Sequence, residues 1–211
     1  DALAPGEPID LVGHSLGGNI VMHYAGVRPS RVRRVVSLDG FGIPHEEPAE
    51  APRKFAAWLD ALREPPTFAA YRDLDAVADR LQKNNPRLAR DRALHIARHW
   101  ADVATDGKAR LNSDPRHKLP FPTVYRVEEV YAVWRAIEAP VLWVAAAESY
   151  IPNWLGDHPE GEGAVDTLAG VRRRLAHIRG GRLVVIDDAG HMLHHDQPAA
   201  VARVIEAFLA G

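Results

Sequence analysis

The sequence predicts an α/β fold, a mostly parallel sheet flanked by helices, with a helical cap inserted into it. Three observations predict this. Residues 9–27 read as a buried strand, a sharp turn and a helix. Further apolar runs of strand length recur at 32–38, 140–146 and 182–187, and helical segments follow them. Between the second and third runs, residues 41–135 change to helical periodicity punctuated by proline, so the core is assigned to 1–40 and 136–211 and the cap to 41–135.

The rest of the chain is organised around its first element. Ile9, Leu11 and Val12 make a short apolar strand, and Ile20, Val21, Tyr24 and Val27 recur at helical spacing, so the chain turns between Gly13 and Gly17. A turn this tight strains its apex residue and needs small neighbours, a need met by Gly13 and Gly17. Ser15 is the apex, and the amide of Leu16 behind it lies at a helix N-terminus, where it stabilises negative charge. A parallel strand this apolar is expected to be paired on both sides.

The second strand, Val32–Leu38, ends in the breaker-rich run Asp39-Gly40-Phe41-Gly42-Ile43-Pro44. This puts Asp39 at a carboxyl strand end, the edge where open parallel sheets build sites. In the cap, Phe55, Trp58, Leu59 and Leu62 share a helix face that Pro65-Pro66 ends, and a second helix is expected from 68 to 81. Asn84-Asn85-Pro86 reads as the cap of a third helix carrying Leu88, Ala93, Leu94, Ala97 and Trp100. Residues 106–125 read as a loop and 127–137 as a helix. After the strand at 140–146 come a loop at 147–164, a helix at 165–178, the last strand at 182–187 with Asp188-Ala189-Gly190-His191 behind it, and a closing amphipathic helix at 198–209.

Composition narrows the function. At 211 residues the chain is long enough for a real core, and a net charge of −2 gives no basic field for nucleic acid. The absence of cysteine removes disulfides, thiolate metal sites and cysteine nucleophiles together, and fits a reducing compartment, so a cytoplasmic protein is expected. No apolar run reaches membrane-spanning length, and the opening residues predict no signal peptide.

Gly13-His14-Ser15-Leu16-Gly17-Gly18 resembles the nucleophile elbow of the α/β-hydrolases, and it has the strand before it and the helix after it that the motif requires. The resemblance implies a serine hydrolase that cleaves a carboxylic ester without a cofactor, with Ser15 as nucleophile and the Leu16 amide in the oxyanion hole. A serine hydroxyl needs a base to take its proton, and imidazole titrates in the useful range. His191, in Ala189-Gly190-His191-Met192-Leu193-His194-His195-Asp196-Gln197-Pro198, resembles the family's histidine loop in order and neighbours. A metal reading of this histidine cluster fails for want of a carboxylate or cysteine at ligand spacing.

The acid is where the pattern breaks. In most of the family it follows the strand after the cap, and the matching position here is Ser149. Either Glu148 serves from the next position or Asp39 serves from the preceding strand, as in a minority of related hydrolases; Asp39 is favoured, with Ser149 and Asp188 behind both. His14, Trp58, Trp134 and Tyr150 are candidates for the substrate pocket, which would take a small-molecule ester with an apolar acyl group.

In the family several βα units precede the elbow strand, and one of their loops supplies the second oxyanion donor. The chain is therefore expected to be the C-terminal portion of the fold, with the N-terminal portion on the same protein or on a complementing chain. The rival readings are a non-catalytic fragment or scaffold, and serine hydrolase chemistry on a thioester, lactone or carbon–carbon bond.

Overall fold

A computed structural model describes residues 4–156 and 167–211. Two compact units emerge: Asp1–Glu46 together with Tyr125–Gly211, and Glu47–Val124.

The first unit is built on a four-stranded parallel sheet. Its elements are β1 (Ile9–His14), α1 (Leu16–Val27), β2 (Val32–Leu38), then, after the second unit, α5 (Val127–Arg135), β5 (Val141–Ala146), α6 (Ile151–Leu155), α7 (Ala169–Leu175), β6 (Arg182–Ile186), α8 (Leu193–Asp196) and α9 (Pro198–Ala210). The strand order is β1-β2-β5-β6, with Gly13 opposite Ser37 and Leu38 opposite Val144. Successive side chains of a strand point to opposite faces, and both faces of β2 and β5 are covered by helices. Val35, Val141 and Trp143 accordingly pack with Met22, Trp134 and Val171 on one face, whereas Val36, Leu142 and Val144 pack with Leu193, Val201 and Phe208 on the other.

Among the described residues β1 pairs with β2 alone, and Val12 is 44% exposed. Helix α1 buries Gly18, Met22 and Ala25, not Ile20 and Val27, which are exposed. Gly26 lets α1 approach α5 closely, since a Cβ there would stand 2.1 Å from the Val133 carbonyl oxygen. Phe41 and α5 pack in the sheet's own core, and the second compact unit spans Glu47–Val124.

The second unit holds α2 (Ala51–Arg63), α3 (Leu74–Asn84), α4 (Arg90–Trp100) and a hairpin of β3 (Ala101–Val103) and β4 (Ala109–Leu111). Its core is alanine-rich: Val77, Ala78, Leu81, Leu88, Ala93, Ala97, Ala101 and Ala109. Helix α3 starts later than the expected 68 because the Asp73 carboxylate accepts the Ala76 amide at 2.8 Å and caps it, while Tyr71 bridges to Ala109 as extended chain. Asn85 closes α3 instead of opening α4, and its side chain accepts from the Arg87 amide at 3.2 Å in a turn. Part of the stretch expected as loop at 106–125 is strand β4, where Ala109 is fully buried against the unit's core. Phe55, Leu59 and Leu62 share a face of α2 as expected, but all three are exposed.

The loop expected at 147–164 contains α6, and its later part, with the first residues of the helix expected at 165–178, lies outside the described residues.

Candidate active site

Four neighbouring strands deliver their carboxyl ends to one edge of the sheet: Ser15 follows β1, Asp39 follows β2, Ser149 lies three residues past β5, and His191 lies five past β6. Ladder hydrogen bonds hold the first two in place, since the Ser15 amide donates to the Leu38 carbonyl and the Asp39 amide to the Val144 carbonyl, both at 2.8 Å. Both residues have positive φ, 54° at Ser15 and 49° at Asp39, a conformation that costs a non-glycine residue free energy and persists only where the surroundings impose it.

Glycines impose it at Ser15, though not the pair the sequence singles out. A Cβ at Gly13 would stand 2.2 Å from the Gly17 carbonyl oxygen, and one at Gly18 would stand 2.3 Å from Ser37 Oγ; at Gly17 a Cβ would meet nothing within 4 Å. The close approaches are thus borne by Gly13 and Gly18. On the acid side, a Cβ at Gly40 would lie 2.5 Å from the Ser15 carbonyl oxygen, so the two turns pack directly on each other.

Ser15, His191 and Asp39 form one hydrogen-bonded chain. Ser15 Oγ lies 2.9 Å from His191 Nε2, and His191 Nδ1 lies 2.7 Å from Asp39 Oδ2. With Nδ1–H donating to the carboxylate, Nε2 is left as the acceptor for the serine hydroxyl. Asp39 is 1% exposed. A carboxylate buried this far needs donors, and among the described residues it has three: His191, the Ser149 hydroxyl on Oδ2 at 2.5 Å, and the Ala146 amide on Oδ1 at 3.3 Å. Glu148, the other candidate acid, is exposed, and its amide donates to the Ala189 carbonyl at 3.0 Å. The oxygen beside Nδ1 is Asp39 Oδ2. The Leu16 amide opens α1, among the first-turn N–H groups that lack an intrahelical acceptor.

The other candidate residues separate. His14 donates from Nε2 to the His191 carbonyl oxygen at 2.7 Å and lies ring to ring with His191 and His194, at 4.8 and 4.4 Å between centroids. It therefore holds the backbone of the histidine loop. Tyr150 stands edge-on to the His191 ring at 5.2 Å and is exposed. Trp134 is corrected: it is 1% exposed and packed against Trp143 at 5.3 Å, a core residue with no face left for a ligand. Trp58 is half-buried on α2 of the second unit.

Burial sets the electrostatics around His191. Desolvation holds His14 and His195 below the ordinary imidazole range, and together with the neighbouring imidazoles it pushes His194 down to about 3. These three rings stay neutral at neutral pH. Among the described residues no group of three or more histidines and carboxylates is arranged to hold a metal ion.

Two supporting residues escape sequence reading. Asn19 Oδ1 accepts the Gly42 amide at 2.8 Å, and Arg174, fully buried, donates from one Nη to the carbonyls of Phe41 and Ile43 at 3.0 and 3.1 Å. Together they fix the turn that carries Asp39. Nothing in the run Arg172-Arg173-Arg174 marks the last guanidinium as buried; without coordinates it reads as a solvated helix face.

Comparison with known proteins agrees with this architecture. The sequence profile of the alpha/beta hydrolase family matches residues 1–204, and the chain belongs to that family. It is 23% identical over 216 residues to the AB hydrolase superfamily protein YfhM of Bacillus subtilis (strain 168), covering 96% of this chain and 66% of that protein. It is 28% identical over 217 residues to the 2-succinyl-6-hydroxy-2,4-cyclohexadiene-1-carboxylate synthase of Enterobacter sp. (strain 638), covering 94% and 66%. Among solved structures, the hypothetical protein PA1622 from Pseudomonas aeruginosa PAO1 superposes with a TM-score of 0.77 at 26% identity, covering 97% of this chain and 68% of that one. The chain spans 56–66% of the length of the curated relatives it matches. Among the described residues no helix is long and apolar enough to cross a membrane.

Proposed function

We propose that this protein is a serine hydrolase that cleaves a small carboxylic ester through an acyl-enzyme, with Ser15 as nucleophile, His191 as general base and acid, and Asp39 as the residue that orients His191. The observation that carries the reading is the unbroken chain from Ser15 Oγ through His191 to the buried Asp39 carboxylate, at 2.9 and 2.7 Å.

As Ser15 Oγ attacks the ester carbonyl carbon, its proton passes to His191 Nε2, and the imidazolium is stabilised by Asp39 across Nδ1. The carbonyl oxygen becomes an oxyanion, for which the Leu16 amide at the start of α1 is a donor. Collapse breaks the bond to the alkoxy group, which leaves with the proton from Nε2. Water then attacks the acyl-serine and gives a proton to the same nitrogen; collapse breaks the acyl–Oγ bond, the proton passes from Nε2 to Ser15 Oγ, and the acid leaves.

A panel of p-nitrophenyl esters of rising acyl length, assayed on wild type and Ser15→Ala, tests the proposal. Turnover of at least one ester that Ser15→Ala abolishes supports it, and a rise in kcat/KM with chain length supports the apolar acyl group. A folded protein that turns over none of them, or that keeps its activity without Ser15, overturns it.

A further inference from the structure

The hydroxyl of Ser149 shares an oxygen with the imidazole. Ser149 Oγ–H donates to Asp39 Oδ2, the atom that also accepts from His191 Nδ1, whereas among the described residues Oδ1 has only the longer contact from the Ala146 amide. The direction of the Ser149 hydrogen bond is fixed in turn, because its Oγ accepts the Ile151 amide at 3.1 Å. That leaves its own proton free for the carboxylate. Ile151 opens α6, and Tyr150, immediately before it, is the ring edge-on to His191.

Resting on the hydrolase reading above, we propose that Ser149 is a positioning residue for the acid. Its hydroxyl pins Oδ2 of Asp39 toward Nδ1 of His191, so that the carboxylate presents one defined oxygen to the imidazole. Asp39 leaves its strand at positive φ and is itself buried. With the hydroxyl gone, Oδ2 keeps the imidazole as its one strong donor, and the carboxylate turns about its last torsion to regain a second. The cost falls on the step in which the imidazolium forms and not on substrate binding, because Ser149 touches the acid behind the histidine.

The test compares Ser149→Ala, Ser149→Thr and Ser149→Val on the most rapidly cleaved ester, with Asp39→Asn added to each. Thr and Val have the same shape and differ in the hydroxyl. Loss of one hydrogen bond to a buried carboxylate is expected to lower kcat about tenfold in the Ala and Val variants, with KM within about twofold and with Thr near wild type. In the Asp39→Asn background the same changes are expected to cost less than about twofold, since there is no carboxylate left to hold. The proton resonance of His191 Nδ1–H is a readout independent of turnover: it moves in Ala and Val and stays in Thr. Equal activity and an unmoved resonance across all three variants overturn the proposal, as does a Thr variant as slow as Val, or a loss that multiplies unchanged on top of Asp39→Asn. Absence of Ser15-dependent turnover in the wild type would bring down the hydrolase reading and this proposal together, whereas Ser15-dependent turnover indifferent to the hydroxyl at 149 brings down this proposal alone.

Discussion

Asp39 and His191 are 152 positions apart in the chain, yet Oδ2 of one lies 2.7 Å from Nδ1 of the other. Asp39 follows β2 and His191 follows β6, and β5 between them and the turn after it supply the Ala146 amide and the Ser149 hydroxyl to the same carboxylate. The contact is therefore a product of the strand order and not of any local motif.

If that contact orients the imidazole, replacing Asp39 by Asn keeps the shape and loses the tautomer. A fall in kcat on the order of 10⁴ is expected, by the precedent of triad hydrolases. Glu148→Gln, at an exposed position, leaves kcat within about twofold. Steady-state kinetics of the two variants side by side decides between the two carboxylates.

Trp134 and Tyr150 are both aromatic residues that sequence reading places in the pocket, and they are expected to behave in opposite ways. Trp134→Ala opens a cavity beside Trp143 and costs about 3–5 kcal/mol in urea unfolding. Tyr150→Ala, at an exposed ring, changes stability by about 0.5 kcal/mol or less, and its effect is expected in KM.

The elbow has its own signature. Gly13→Ala forces a Cβ to within 2.2 Å of the Gly17 carbonyl oxygen, backbone that cannot step aside, whereas Gly17→Ala meets open space. A loss of about 1–3 kcal/mol or more is expected for the first by thermal unfolding, with the second close to wild type.

His194 makes stability depend on pH. Its folded-state value is pushed from 6.5 down to about 3 by burial and neighbouring imidazoles, while in the unfolded chain the ring titrates at its ordinary value. Between those two pH values the unfolded state binds the extra proton, so stability is full above about 6.5 and falls as the solution is acidified toward about 3. His14 and His195, also depressed, act in the same direction. Thermal unfolding from pH 7 to 4 is expected to show a shallower decline in His194→Leu than in wild type; an identical slope would contradict the assignment.

Much of this was legible in the residues. The elbow around Ser15, the four strands and the His191 loop all carry local signals: apolar runs of strand length, breakers at their ends, and a glycine pattern that only a tight turn needs. What the residues could not settle was which carboxylate meets His191, because strand order decides it, and Asp39 and Glu148 both follow apolar strands. Pocket assignments by residue type failed at Trp134, since an aromatic on an amphipathic helix is equally suited to core and cleft. The role of Gly18 over Gly17 and the burial of Arg174 depend on tertiary approach alone and leave no mark on local sequence.

Reaction with a fluorophosphonate tests whether Ser15 is a nucleophile activated by His191. Mass spectrometry of the treated wild-type protein is expected to find one adduct, on the peptide carrying Ser15. The adduct should be absent from Ser15→Ala and should form slower by orders of magnitude in His191→Ala. A folded wild-type protein that stays unlabelled, or an adduct that persists without Ser15, would contradict it.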